Sequence, residues 1–232
     1  MSFEVGPKTI NNVKRHKERA SYDYESVHKA LDEGFFCHVS FCIDEDNEEG
    51  GQESTPVIIP MIYGRKENTL YLHGYVSGRL VKHLAQGRKV CIAVSEINGL
   101  VLALSPFHHS VNYKSCVVFG RGGLVDDDDE RLEALQIMTD HMVKGRWDQC
   151  RDSKKIELQT TKVVKIDIES ASVKQSYKDE PVEDKEDYKD QALCDSVWTG
   201  IVPLETKFKP AIPSSINKQP VPENIRQLYE KN

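Results

Sequence analysis

PVIIPMIYGRKENTLYLHGYVSGRLVKHLAQGRKVCIAVSEINGLVLALS, residues 56–105, sets four strand-like runs around one short helical run. Pro56 to Tyr63 and Thr69 to His73 are rich in β-branched and aromatic residues, and the polar linker Gly64, Arg65, Lys66, Glu67, Asn68 predicts a hairpin between them. The period then changes: Leu80, Val81 and Leu84 share a helical face, with Ser77 as the candidate cap and Gly87 as the stop. Lys89 to Ile97 and Leu100 to Ser105 flank Asn98-Gly99, a dipeptide favoured in type I′ turns, which predicts a second hairpin. Strands joined by short polar links, without regularly alternating helices, point to an antiparallel barrel or sandwich and away from a βαβ sheet.

Toward the N-terminus, Tyr24, Val27, His28 and Leu31 recur at helical spacing between Ser21, a candidate N-cap, and Gly34. Phe35 to Ile43 reads as a strand, and the polar run Asp44 to Ser54, with Gly50 and Gly51, as an exposed loop. Toward the C-terminus, Ser115 to Val125 is a further strand. Its glycines, Gly120-Arg121-Gly122-Gly123, lack the following helix that a dinucleotide fingerprint needs and read as a bend or bulge. Asp126 to Asp129 sit where a helix N-terminus welcomes carboxylates, ahead of Leu132, Leu135, Met138 and Met142. Ile156 to Ile168 reads as a long strand. The acidic stretch from Tyr177 to Asp190 has too few apolar residues to bury and is expected to be mobile or draped in solvent. Order is expected to return at Cys194, followed by a proline-rich arm and a terminal helix near Pro222. The division expected is an N-terminal extension (1–20), a barrel domain (21–176), an acidic segment (177–193) and an arm (194–232) that packs on the barrel or on a partner.

Thirty-one Lys and Arg against 37 Asp and Glu leave a net charge of −6, without the basic surplus that nucleic-acid binding draws on. No apolar run approaches the ~20 residues of a membrane helix, and no secretory h-region follows the charged N-terminus, so a cytoplasmic location is expected. The six cysteines are expected to be reduced; the nearest pair, Cys37 and Cys42, lies within one strand, so no metal site is expected. His108 and His109 share a loop, where neighbouring imidazoles seldom converge on one ion. No Ser-His-Asp ordering or carboxylate pair supports a hydrolase.

The stretch with most chemical content is YLHGYVSGRLVKHL, residues 71–84, because it carries a strand directly into a helix through a donor-rich turn. Ser77, Arg79 and His73 can converge on a phosphate, with Gly78 permitting close approach; the plain alternative is a helix start beside a solvated arginine.

Together PVIIPMIY (56–63), YLHGYVSGR (71–79) and VNYKSCVVFGRG (111–122), supported by helix 127–144 and VWTGIVPL (197–204), resemble the pyridoxamine 5′-phosphate oxidase-like, flavin-nucleotide-binding split-barrel proteins, in particular the nitroimidazole-resistance-type branch. The resemblance spans roughly residues 20–204. It implies a mainly β fold, a six-stranded antiparallel split barrel with accessory helices, working as a homodimer with FMN, or alternatively FAD, at the subunit interface. By the same likeness Pro60, Met61 and Ile62 run beside the isoalloxazine edge, and His73, Ser77, Gly78 and Arg79 take the phosphate. Lys82 adds positive charge. Tyr113, Lys114 and Ser115 stand where relatives often have Tyr-Arg-Ser, so Lys114 offers a point charge in place of a bidentate guanidinium, and Leu80 stands where they often have Lys, leaving Arg79 and Lys82 to provide the positive charge. Trp198 and Trp147 are each candidate rings to stack on the flavin, the plain alternative for either being a packing anchor, and Trp198 is the one carried forward as a site residue. The implied activity is an oxidoreductase acting on a small molecule with NAD(P)H as electron donor. Alternatives are a non-catalytic flavin- or haem-binding protein, or an enzyme closer to pyridoxamine-phosphate oxidase, whose paired C-terminal Arg and His are not recognisable here.

Overall fold

The structure is a computed structural model and describes residues 1–46 and 52–230. In chain order its elements are β1 (Ala20–Ser21), α1 (Tyr24–Glu33), β2 (Cys37–Asp46), β3 (Gln52–Met61), β4 (Gly64–Lys66), β5 (Thr69–Tyr75), α2 (Arg79–Ala85), β6 (Lys89–Leu102), β7 (Ser110–Leu124), α3 (Asp128–Met142), α4 (Lys155–Thr160), β8 (Thr161–Ser176), α5 (Gln191–Ser196), β9 (Gly200–Pro203) and α6 (Glu223–Glu230). The sheet order is β3-β2-β6-β7-β8-β5-β4, all antiparallel, with β1 added to β8 and β9 to β6. β3 and β4 stand at opposite ends of that order, yet Met61 and Gly64 are only three residues apart along the chain, a reach of at most about 10.5 Å. The sheet must therefore curl until its two edges approach, which makes it a split barrel. Six long strands (β2, β3 and β5 to β8) form the wall, as expected, and β1, β4 and β9 are short additions.

Alternation along the strands fills the interior. Val90, Ile92 and Val94 on β6 and Cys116 and Val118 on β7 are buried at every second position, together with Val39, Leu70, Leu72, Val164 and Ile166. α1 adds Val27, Ala30 and Leu31 to the same core. Outside it, α3 lays Ala134 and Met138 against Tyr71, Val125 and Val163. The fully buried Tyr63 joins the layers: its hydroxyl sits between the carbonyls of Leu31 and Gly34, 2.9 Å from the latter, and its ring lies 4.7 Å from that of His141.

Several sequence expectations are corrected by long-range packing. β3 does not form a hairpin with β5; it pairs with β2, and the expected linker itself supplies β4, which folds back on β5 through Glu67, whose φ is 51°. Asn98-Gly99 is not a turn. β6 runs through it unbroken with a register shift between Ile97 and Gly99, because β9 pairs alongside and a Cβ on Gly99 would lie 3.0 Å from the Val202 carbonyl oxygen. The presumed strand from Ile156 begins as α4, where the Glu157 carboxylate accepts the Lys154 backbone N–H at 2.8 Å, and becomes β8 only at Thr161. Asp23, not Ser21, caps α1, accepting from the Ser26 N–H at 2.7 Å, while Ser21 belongs to β1. The loop expected over Asp44 to Ser54 is shorter, since Asp44 pairs with Ser54 and Glu45 with Glu53; its Gly50 and Gly51 lie outside the described residues. The acidic segment after β8 is tied to the barrel through Asn112, which exchanges two 2.8 Å hydrogen bonds with the Lys178 backbone, and through Glu183 on the Leu104 N–H.

Other readings hold. The glycine cluster is a bulge, with a register shift between Phe119 and Gly120, and Asp127 caps α3 by accepting from the Glu130 N–H at 2.8 Å. The cysteines of the described residues are all free: Cys37 and Cys116 are buried, but Cys42 and Cys150 are exposed. Among the described residues no helix is long and apolar enough to cross a membrane.

Candidate functional site

The corner where β5 hands over to α2 is shaped by apolar anchoring on one side and left open on the other. Leu80, Val81 and Leu84 bury the inner face of α2 in the core, so Arg79 and Lys82 project outward. Among the described residues neither cation has a hydrogen-bonded or ion-paired partner on its side chain. Ser77 is exposed, and the N-cap of α2 is Gly78, whose N–H donates to the Tyr75 carbonyl at 2.8 Å; Ser77 does not cap the helix. At seven residues α2 is too short to hold an anion by its dipole alone, so any anion affinity here comes from the side chains. His73, on β5 opposite Val163, is half-buried with its Nδ1 sealed from solvent and without a hydrogen-bond partner. Burial lowers its pKa below the ordinary imidazole value.

The second group of candidates lies elsewhere. Tyr113, Lys114 and Ser115 on β7 face Ser176, Gln175 and Lys174 of β8. Eleven residues of β8, about 36 Å of strand contour, separate Val163 from Lys174 and hence the two groups. Lys114 is already engaged, hydrogen-bonded to Glu33 and 3.9 Å from Glu96. Burial opposes its charge, but the bond to Glu33 and the two carboxylates outweigh this and hold its pKa above the usual lysine value. Ser115 donates to the Lys174 carbonyl at 3.3 Å. Pro60 and Met61 pair with His38 and Cys37 at the end of β3, and Ile62 follows them into the crossing to β4. Trp198 is 65% exposed and lies over Gly200, whose φ of 153° and lack of a Cβ accommodate the ring. Within one chain these residues thus form separate groups.

A groove of about 730 Å³ that sequence reading missed lies between the barrel and the arm, lined by Phe35, Phe36, Ile97, Lys114, Tyr177 and Phe208 among others. Its volume is in the range of small-molecule sites. The adjacent Phe35-Phe36 pair was the available signal, but both fall before β2 and are partly exposed, with the Phe35 ring 5.9 Å from that of Phe208. His108 and His109 diverge as expected: His109 Nδ1 bonds the Ser105 carbonyl at 2.9 Å, and His108 turns toward the acidic segment.

Residues 23–175 match the family model described as pyridoxamine 5′-phosphate oxidase. The chain belongs to that family. Two solved structures resemble this family member over nearly its whole length. The flavocytochrome Anf3 from Azotobacter vinelandii is 30% identical, with 94% of this chain and 95% of that one covered at a TM-score of 0.81. The FAD and heme binding protein from Mycobacterium smegmatis is 26% identical, with 91% and 97% covered at 0.77. A protein assigned to 5-nitroimidazole antibiotic resistance from Bacteroides thetaiotaomicron, 23% identical, covers 67% of this chain and 85% of its own at 0.51, which supports the fold. No curated protein matches the chain. The expected fold and family stand, and a flavin as cofactor agrees with the family and with these neighbours.

Proposed function

We propose that this chain is a flavin-binding redox protein that seats the phosphate of FMN, or the matching phosphate of FAD, at the β5–α2 corner. The observations that carry the reading are a sealed, unpartnered imidazole nitrogen on His73 of β5 and, at the start of the helix that follows, two cations, Arg79 and Lys82, that no carboxylate of the described residues neutralises. A phosphate supplies what each of them lacks. Ser77 adds a hydroxyl donor, and the backbone of Pro60, Met61 and Ile62 offers polar groups to the ring edge. The wide separation of this corner from Tyr113, Lys114 and Ser115 favours a homodimer, in which a second copy brings its own β7 residues to the flavin. Trp198 and the arm are then available to wall the site. A bound flavin supplies hydride and electron transfer, and the chain contributes binding, orientation and exclusion of water. Its electron donor in this reading is NAD(P)H, its substrate a small molecule, and its setting the reducing cytoplasm.

Fluorescence titration tests the placement. Arg79→Ala removes a charge-assisted contact of about 1.5–3 kcal/mol and should weaken FMN binding roughly 10- to 150-fold, while riboflavin, lacking the phosphate, binds both proteins equally. Equal losses for the two ligands, or none, would remove Arg79 from the site. Bleaching of the flavin by NADH or NADPH is expected under the enzyme reading; a flavin that neither nucleotide reduces argues for a carrier or sensor.

A second reading, a protein of both flavin and haem, is favoured by coverage: the two structures named for both cofactors cover 94% and 91% of this chain, whereas the nitroimidazole-resistance match covers 67%. The groove has Phe35, Phe36 and Phe208 in its lining together with Glu33, Glu96 and Lys114, but among the described residues no histidine lines it, so within one chain it would offer haem iron no imidazole there. A Soret band near ~400 nm in the purified protein would support this reading, and its absence after haem addition would end it.

A further inference from the structure

Away from the flavin corner, three metal-ligating side chains meet. His108 ends the single-turn 3-10 helix Pro106–His108 between β6 and β7, while Glu183 and Asp187 come from the acidic segment after β8. One ligand atom from each lies within 4.8 Å of the other two, and all three residues are partly buried. The His108 Nδ1 is sealed from solvent with no hydrogen-bond partner. Both Glu183 carboxylate oxygens are oriented by the Leu104 backbone N–H, at 3.0 and 3.1 Å. The Asp187 main chain is held by the Cys194 thiol, 3.5 Å from its carbonyl oxygen. Among the described residues no Lys or Arg pairs with either carboxylate. Two carboxylates and an imidazole are thus gathered without a neutralising cation, and one of the carboxylates already has the outer hydrogen bond that orients metal ligands.

We propose that His108, Glu183 and Asp187 bind a divalent transition-metal cation, zinc by the chemistry of the set. An imidazole disfavours Mg²⁺ and Ca²⁺, which take oxygen ligands, while one nitrogen and two carboxylate oxygens leave a tetrahedral zinc one position for water. Bonds of about 2.1 Å place tetrahedral ligands about 3.4 Å apart, so the side chains close by at most about 1.4 Å on metal entry. The cation clamps the acidic segment to the β6–β7 turn, which gives this otherwise core-free stretch a reason to be ordered.

The full chain is titrated with Zn²⁺ by calorimetry and with Co²⁺ by absorption. One high-affinity equivalent is expected, with Co²⁺ bands lacking thiolate charge transfer and a thermal midpoint that rises with Zn²⁺. His108→Ala and Asp187→Asn should each weaken binding about tenfold or more and abolish the thermal shift, whereas His109→Ala leaves both unchanged. Asp187→Asn keeps the shape of the side chain, so loss of affinity with an unaltered circular dichroism spectrum separates ligation from misfolding. Three results overturn the proposal: equal affinity in the variants, thiolate bands that assign the metal to cysteine, or a haem band that depends on His108 without any cation binding.

Discussion

His73 shows how a single residue can be legible in type and illegible in state. Its place in YLHGYVSGR marks it as a candidate ligand, but only its position opposite Val163 explains why Nδ1 has no partner and why desolvation lowers its pKa. Since the folded pKa lies below the unfolded value of about 6.5, the unfolded chain binds more protons between the two, and stability falls as pH drops through about 6.5 toward the folded pKa. NMR titration of the free chain should therefore place the His73 midpoint below 6.5, and a phosphate dianion beside the ring should move it back up. A midpoint that FMN leaves unmoved would show that this imidazole does not meet the phosphate.

At the level of elements, the β7–β8 pair depends on a glycine for steric reasons. A Cβ on Gly120 would stand 2.3 Å from the carbonyl oxygen of Asp167, a backbone atom that cannot rotate away, at the point where the register between the strands shifts. Gly120→Ala must open the ladder there, at a cost of about 1–3 kcal/mol, and should lower the midpoint of thermal unfolding by roughly 2–12 °C. Gly123→Ala, three residues along the same strand with nothing within 4 Å of its Cβ, should unfold close to wild type. The bulge was readable because four residues containing three glycines in a strand need a local reason. The Asn98-Gly99 turn was misread because local turn preference is a small term, and the ladders to β7 and β9 on either side of β6 outweigh it.

For the molecule as a whole, the proposed homodimer would account both for the exposed apolar side chains of the barrel and for the division of the candidate site. Ile58 on β3, Tyr75 at the end of β5 and Val76 beside the β5–α2 corner remain open in a single chain. In the homodimer proposed above, a second copy would cover them and bring its Tyr113–Ser115 strand toward the first copy's Arg79. Light scattering at micromolar concentration should give about twice the 26.4 kDa chain mass, with an interface of about 2,000 Å² or more. A monomeric mass that persists with flavin bound would contradict the shared site.

The sequence by itself determined the antiparallel class and the helices α1, α2 and α3, because these rest on local periodicity acting within a few residues, and its motifs carried the resemblance to the family. It also marked His73, Ser77, Arg79 and Lys82, which sit together along ten residues of chain. Only the tertiary structure decided that β3 crosses to β4 instead of pairing with β5, that Lys114 is neutralised by Glu33, and that His108 meets Glu183 and Asp187. Each of these is a contact between segments far apart in sequence, made where barrel closure brings them together. Local preference has no access to that closure, since it depends on the packing of the whole core.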